Sequence, residues 1–266
     1  MSHEPSMSRE PSMHAAATPG RAAPPARRVL AQARFEALTM LRNGEQLLVA
    51  LVLPAMVLVG LVTTSFVPVG QGRRVDIVVP GILALCVISS GFTGVAIATG
   101  FDRRYGVLRL LGTSPLGRLG LLAGKAAAVL AVVVLQYVVI GALGLALGWE
   151  PHLGGIPAVV VSTLLGTWAF VALALLLGGT VRAEGVLALA NLVWVLLLAL
   201  GGVVVPTDRL PDGLEPLVAL LPSAALGDSL RAALLHGQAL LGEWLVMAVW
   251  GVVATALASR LFRWSD

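Results

Sequence analysis

Few residues in this chain have types and spacing suited to chemistry, and most of those fail on inspection. The only Gly-Lys pair is Gly124-Lys125. A phosphate-binding loop needs glycine five residues before that glycine and Ser or Thr after the lysine. Leu119 and Ala126 stand there instead, so no nucleotide is bound that way. The four histidines, His3, His14, His152 and His236, lack metal-ligand spacing. Asp208 and Asp212-Gly213 have an acidic pattern used in lipid headgroup transfer, but spacing and surroundings do not fit. Carboxylates are missing from the centres of the apolar runs, where coupling to protons or sodium would need them; Glu184 and Glu243 sit at run ends. The polar residues deepest in those runs are Gln136 and Asn191. Their types suit hydrogen bonds between helices or contact with a polar group passing through.

The elements that must position these residues follow from composition. Of 266 residues, 58% are hydrophobic and 12% charged, with a mean hydropathy of +0.92. Soluble domains carry about 25% charged residues, so this chain has lipid as its main solvent. The single cysteine, Cys86, excludes an intrachain disulfide. A spanning helix needs about 20 apolar residues, and six segments qualify: 47–66, 77–100, 119–148, 157–181, 185–205 and 241–261. The expected fold class is an all-α integral membrane protein. Gly120/Gly124 and Gly144/Gly148 are spaced for close helix contacts.

Before the first span, residues 1–26 are rich in Pro, Ser, Ala and Met and are expected to be a disordered tail. No signal peptide is expected there. Residues 27–46 form an amphipathic interface helix. Val29, Leu30, Ala33, Ala37, Met40 and Leu41 fall in one sector, with Arg28, Gln32, Glu36, Thr39, Arg42 and Asn43 opposite. Phe35 falls on the polar side. Such a helix lies on a lipid surface, and Phe35 with Glu36 equally suits a protein partner.

With the N-terminus inside, the inner segments hold 14 of the 18 Lys and Arg, while the acids divide evenly. That asymmetry places both termini in the cytoplasm. The basic excess therefore marks loops, and no nucleic-acid partner is expected.

The loop from Phe101 to Arg118 reads FDRRYGVLRLLGTSPLGR. Val107 to Leu111 can form a short helix, which Gly112-Thr113-Ser114-Pro115 stops. Asp102, Arg103, Gly106, Leu108, Leu111, Ser114 and Pro115, followed by Gly124-Lys125, resemble the motif of type-2 ABC transporter permeases, the branch of daunorubicin-resistance and polysaccharide or teichoic-acid exporters. The resemblance runs from the amphipathic helix to the last span. Asp102 stands where that family more often has Glu.

The resemblance implies the membrane half of an ATP-driven exporter in the plasma membrane. It implies separate ABC ATPase subunits, which bind ATP and Mg, and a second permease chain, identical or paralogous. This chain itself would be no enzyme and hold no cofactor. The short loop becomes the coupling helix, with Asp102, Arg103, Arg104 and Arg109 pairing to the ATPase. Tyr105, Leu108 and Leu111 would fill its groove, Gly106 would allow close approach, and Pro115 would end the helix. Arg28, Phe35, Glu36 and Arg42 belong to the interface helix beside it. Gln136, Asn191, Trp168 and Trp194 could line a substrate path. Phe92, Tyr137 and Trp250 are further aromatics near the spans. Drug or antibiotic efflux is the first expectation. Export of a lipid-linked or polysaccharide precursor, or a non-transporting assembly role, are the alternatives.

The segment from Pro206 to Gln238 is expected to form two short helices dipping into the outer leaflet. Leu214, Leu217, Val218 and Leu221 would make one apolar face. Ser223 would cap the second helix, Gly237 would end it, and Asp228 would pair with Arg231.

Overall fold

The computed structural model describes residues 23–64, 72–203, 206–207 and 213–262. Most of the tail, the far ends of the first and fifth expected spans at Phe66 and Val205, and Asp208 and Asp212 lie outside the described residues. Among the described residues there are helices and no strands. In order they are α1 (Pro25–Arg42), α2 (Gly44–Thr63), α3 (Arg74–Ile88), α4 (Val95–Arg104), α5 (Val107–Gly112), α6 (Gly117–Ala146), α7 (Ile156–Thr180), α8 (Ala183–Leu200), α9 (Glu215–Val218), α10 (Pro222–His236) and α11 (Leu241–Leu261). Side-chain-independent hydrogen bonding within each helix is what lets such runs sit in lipid.

Among the described residues, four helical stretches are long and apolar enough to cross a membrane: 74–104, 117–146, 153–180 and 241–261. A fifth is counted if α1 and α2, bent by 68° at their junction, are taken together. The helix α8 is apolar but shorter. The chain is thus an all-α, multi-pass membrane protein.

The second stretch differs from the uninterrupted helix expected. It joins α3 to α4 through a π-helical turn, Ser89–Gly94. Such turns in a long helix commonly lie where side chains must be re-aimed. Here Ser89 accepts from Trp194 Nε1 of α8 at 2.8 Å, and Ser90 donates to Gln136 of α6 at 3.0 Å.

The helix α7 is the hub, with α11, α4, α10 and α6 around it. The π-helical turn divides the bundle into an end bearing α5 and an end bearing α10. At the α10 end, α10 is a largely buried core element ended by Gly237. It packs on α3, α7 and α11. The expected cap by Ser223 is absent: Leu221 precedes the helix and the Ser223 hydroxyl is buried without a partner among the described residues. The smaller α9 does not present one apolar face, since Val218 is buried while Leu214 and Leu217 are exposed.

Glycine sets the spacing of α10. A Cβ on Gly155, just before α7, would collide with the Ala233 carbonyl oxygen. Backbone on backbone leaves no rotamer to move. Gly155→Ala should therefore lower stability by about 1–3 kcal/mol, the usual range for overpacking. Thermal unfolding in detergent checks this, with Gly242→Ala as control, since nothing lies within 4 Å of that position. Equal melting of the two variants would remove the close-contact argument. The other predicted glycine pairs divide: Gly124 meets Gln32 of α1 and Gly144 meets Val79 of α3, but Gly120 faces Leu116 and Gly148 sits in a turn at φ 88°.

Candidate functional site

The α5 end brings α1, the end of α4, α5 and the start of α6 together. Its centre is Lys125, which is 0% exposed. A bare ammonium cannot stay charged in such a place without partners. Its Nζ lies 2.8 Å from Glu36 Oε1 and 3.4 Å from Asp102 Oδ2. Three helices that are far apart in sequence are joined at one cation.

That contact turns α1 so that one edge of its polar side faces the protein together with Ala33 and Met40 of the apolar sector. Glu36 was assigned to the face opposite the apolar sector. It points instead into the protein, beside Gln32 and the buried Ala33. Gln32 donates to Glu36 at 2.9 Å and lies against Gly124. The absence of a side chain at Gly124 lets α1 come close enough for Glu36 to reach Lys125. Leu30 and Leu41, from the sector expected to lie on lipid, are exposed, as is Phe35. A buried ion pair outranks the apolar stripe because uncompensated charge costs more than an unburied leucine. Arg28 donates to the Pro115 carbonyl, fastening α1 to the loop after α5, while Arg42 at the far end is exposed.

The loop itself is built as a short helix on a glycine hinge. Gly106 has φ 77° with nothing within 4 Å of a Cβ. Its role is the left-handed turn between α4 and α5, which other residues adopt only with strain; close backbone approach is not its function within the chain. Leu108, expected to fill a partner's groove, is 0% exposed and lies in the chain's own core. Leu111 packs partly against that core.

The charges are also spent internally more than expected. Asp102 belongs to Lys125. Arg103 is buried and donates to the Val181 carbonyl at 2.5 Å, holding α4 to the end of α7. Arg104 pairs with Glu184 of α8. What faces outward is Tyr105 and Leu110, each 73% exposed, with Val107, Arg109 and Pro115. Tyr105 stacks on Phe101 at 6.1 Å between ring centroids. Sequence reasoning missed Val107 and Leu110. The signal was there for Leu110: with positions 108 and 111 turned inward, position 110 lies about 130° around the helix from their midpoint, while Val107 falls at the edge of the inward side.

Of the residues suggested for a substrate path, Gln136 and Trp194 meet the same π-helical turn, at Ser90 and Ser89, while Asn191 and Trp168 bond elsewhere. Gln136 is buried and also donates to the Ala50 carbonyl of α2 at 2.9 Å. Asn191 is exposed and donates to its own helix, at Leu187. Trp168 donates to Thr255 of α11 at 3.2 Å, whereas Trp194 donates to Ser89. Among the described residues, no group of His, Cys, Asp and Glu could hold a metal.

The arrangement presents a basic, apolar helical tip whose root is tied to three helices. Residues 49–260 match a family model described as ABC-2 family transporter protein. A search of curated proteins finds no match.

Proposed function

The chain belongs to the ABC-2 transporter family, and on that premise we propose that α5 is the element through which a separate ABC ATPase drives this membrane subunit. The observation that carries the reading is the exposed tip itself: Tyr105, Val107, Arg109 and Leu110 project from a helix fixed from behind by Leu108. An anchored rear and an apolar front suit transmission of force, because the helix cannot roll when pushed.

The working assembly in this reading has two permease chains and two ATPase subunits, with ATP and Mg bound by the latter. Six crossings, including α2 and α8, put α5 and both termini in the cytoplasm of a plasma-membrane protein, as the arginine asymmetry supports. ATPase closure tilts α4 and α6 as a rigid unit. A lipophilic cargo, a drug or antibiotic, fits best. Gln136 is satisfied by Ser90 and the Ala50 carbonyl and Trp194 by Ser89, and the open face of α2 shows Leu48, Val49, Val52, Leu53 and Met56.

Leu110→Asp should abolish co-purification with the ATPase while the chain inserts and melts normally. Truncating an interface anchor costs on the order of 2 kcal/mol or more, and a buried carboxylate adds to that. Arg109→Ala should do less, since exposed charge pairs contribute about 0–1 kcal/mol. If Leu110→Asp binds and stimulates its ATPase as the unaltered chain does, α5 is not the coupling element.

A further inference from the structure

The helix α8 is held on one side. Its buried residues, Ala183, Val186 and Ala190, make a single stripe, while Leu187, Leu192, Val195 and Leu196 are exposed. The stripe rests on α4. The main neighbours of α8 are α4 and the π-helical turn, and α7 touches it far less. Contact is close because Gly100 of α4 has no side chain. A Cβ there would stand 3.3 Å from Val186 Cβ and 3.5 Å from Ala183 Cα.

Two polar fastenings fix the register of α8 along α4. At one end, Trp194 Nε1 donates to Ser89 Oγ at 2.8 Å. At the other, Arg104 pairs with Glu184 in the first turn of α8. The two lie about 15 Å apart along the helix. Fastened at two separated points, a helix can neither slide nor roll on its neighbour. Arg103, the residue before, holds the Val181 carbonyl at 2.5 Å. Consecutive residues of α4 therefore grip both sides of the α7–α8 turn. Between Arg104 and the start of α5 stand Tyr105 and Gly106 alone, so the start of α8 is attached at the root of α5. Arg104 and Glu184 are both exposed, and an exposed pair contributes little to stability. The buried stripe already holds the two helices together; what the pair adds is their register.

We propose that Arg104 and Glu184 are positioning residues that carry a displacement of α5 into α8, so that α8 moves with α4. The proposal rests on the reading of α5 as the element an ATPase drives. It makes Arg104 an internal strut rather than a contact with the ATPase, and it adds α8 to the helices that the stroke moves.

The first arm of the test uses the full chain alone, in phosphatidylcholine nanodiscs, and follows amide hydrogen exchange. Glu184→Gln should speed exchange in α5 and the last turn of α4, although Arg104 is 80 positions away in sequence. The expected factor is about two to five, the size of one exposed pair, with thermal unfolding as in the unaltered chain. Exchanging the charges, Arg104→Glu with Glu184→Arg, should restore slow exchange. Glu243→Gln, the same change in the first turn of α11, should leave α5 as it was.

The second arm uses the complex with the ATPase that co-purifies. Arg104→Gln and Glu184→Gln should each keep that subunit bound yet lower its stimulated turnover, and the exchanged pair should recover most of it. If the unaltered chain brings down no ATPase, the coupling reading fails, while the exchange arm still decides whether the pair links α5 to α8. Unchanged α5 exchange in Glu184→Gln overturns the proposal. So does an exchanged pair that folds normally and restores nothing. If Arg104→Gln releases the ATPase while Glu184→Gln behaves as the unaltered chain, Arg104 belongs to the ATPase and the proposal is wrong.

Discussion

Lys125→Met should destabilise the folded chain by about 3–5 kcal/mol, the range for removing one partner of a buried ion pair. The methionine fills the space of the lysine stem, so the loss is electrostatic. It leaves Glu36, whose side chain is 13% exposed, and Asp102, at 31%, facing each other without a cation. Glu36 bears most of the cost because it is deeper. Thermal unfolding and the fraction surviving as a monodisperse species in detergent measure it. Glu36→Gln and Asp102→Asn added to Lys125→Met should recover much of the stability, since neutral amides need no counter-charge. If Lys125→Met alone melts as the unaltered chain does, the three-helix junction is not held by this cation.

Arg231→Leu should rank second, at about 3 kcal/mol or more. Arg231 is 5% exposed. It donates to Asp228 Oδ1 at 2.7 Å, to the Gly202 carbonyl at 3.0 Å and to the Val203 carbonyl. It therefore ties α10 to the chain leaving α8 through the carbonyls of two residues just past the helix. Leucine leaves those acceptors buried and Asp228 with Thr207 as its remaining partner. Arg231→Lys should rescue only partly, because one ammonium lacks the planar fork that serves three acceptors at once. Differential scanning of the three proteins checks the order; a lysine variant as stable as arginine would show that charge alone suffices.

What could be read from the chain beforehand divides along a physical line. Long apolar runs announce themselves by length, and the last one, Leu241–Leu261, falls where hydropathy places it. The pairing of Asp228 with Arg231 was legible because i, i+3 neighbours on a helix must meet. The orientation of α1 was not. Periodicity assumes that apolar residues are buried, and here Glu36 is drawn inward by a lysine 89 positions away. Nothing local encodes that partner. The role of Leu108 was misjudged for a related reason. A motif marks residues that matter without saying whether they face a partner or their own core. Gln136 could be recognised as a helix-to-helix bond but not matched to Ser90 and Ala50, because the π-helical turn that presents Ser90 has no simple sequence pattern.

That turn has a consequence for azimuth. A π-helical turn takes in one residue more than the same turn of α-helix, and each residue in α-helix advances about 100° around the axis. The extra residue is thereby absorbed within one revolution, so α4 keeps the azimuth that an α-helical turn with one residue fewer would give it. Carried in α-helical geometry, the same extra residue would turn everything after Gly94 by about 100°. Asp102 would then swing off Lys125, Arg103 off the Val181 carbonyl, and the front of α5 would point sideways. The π-helical turn thus works like an expansion collar on a shaft: it takes up a residue, and presents Ser89 and Ser90, without changing the angle at which a push on Leu110 enters the bundle.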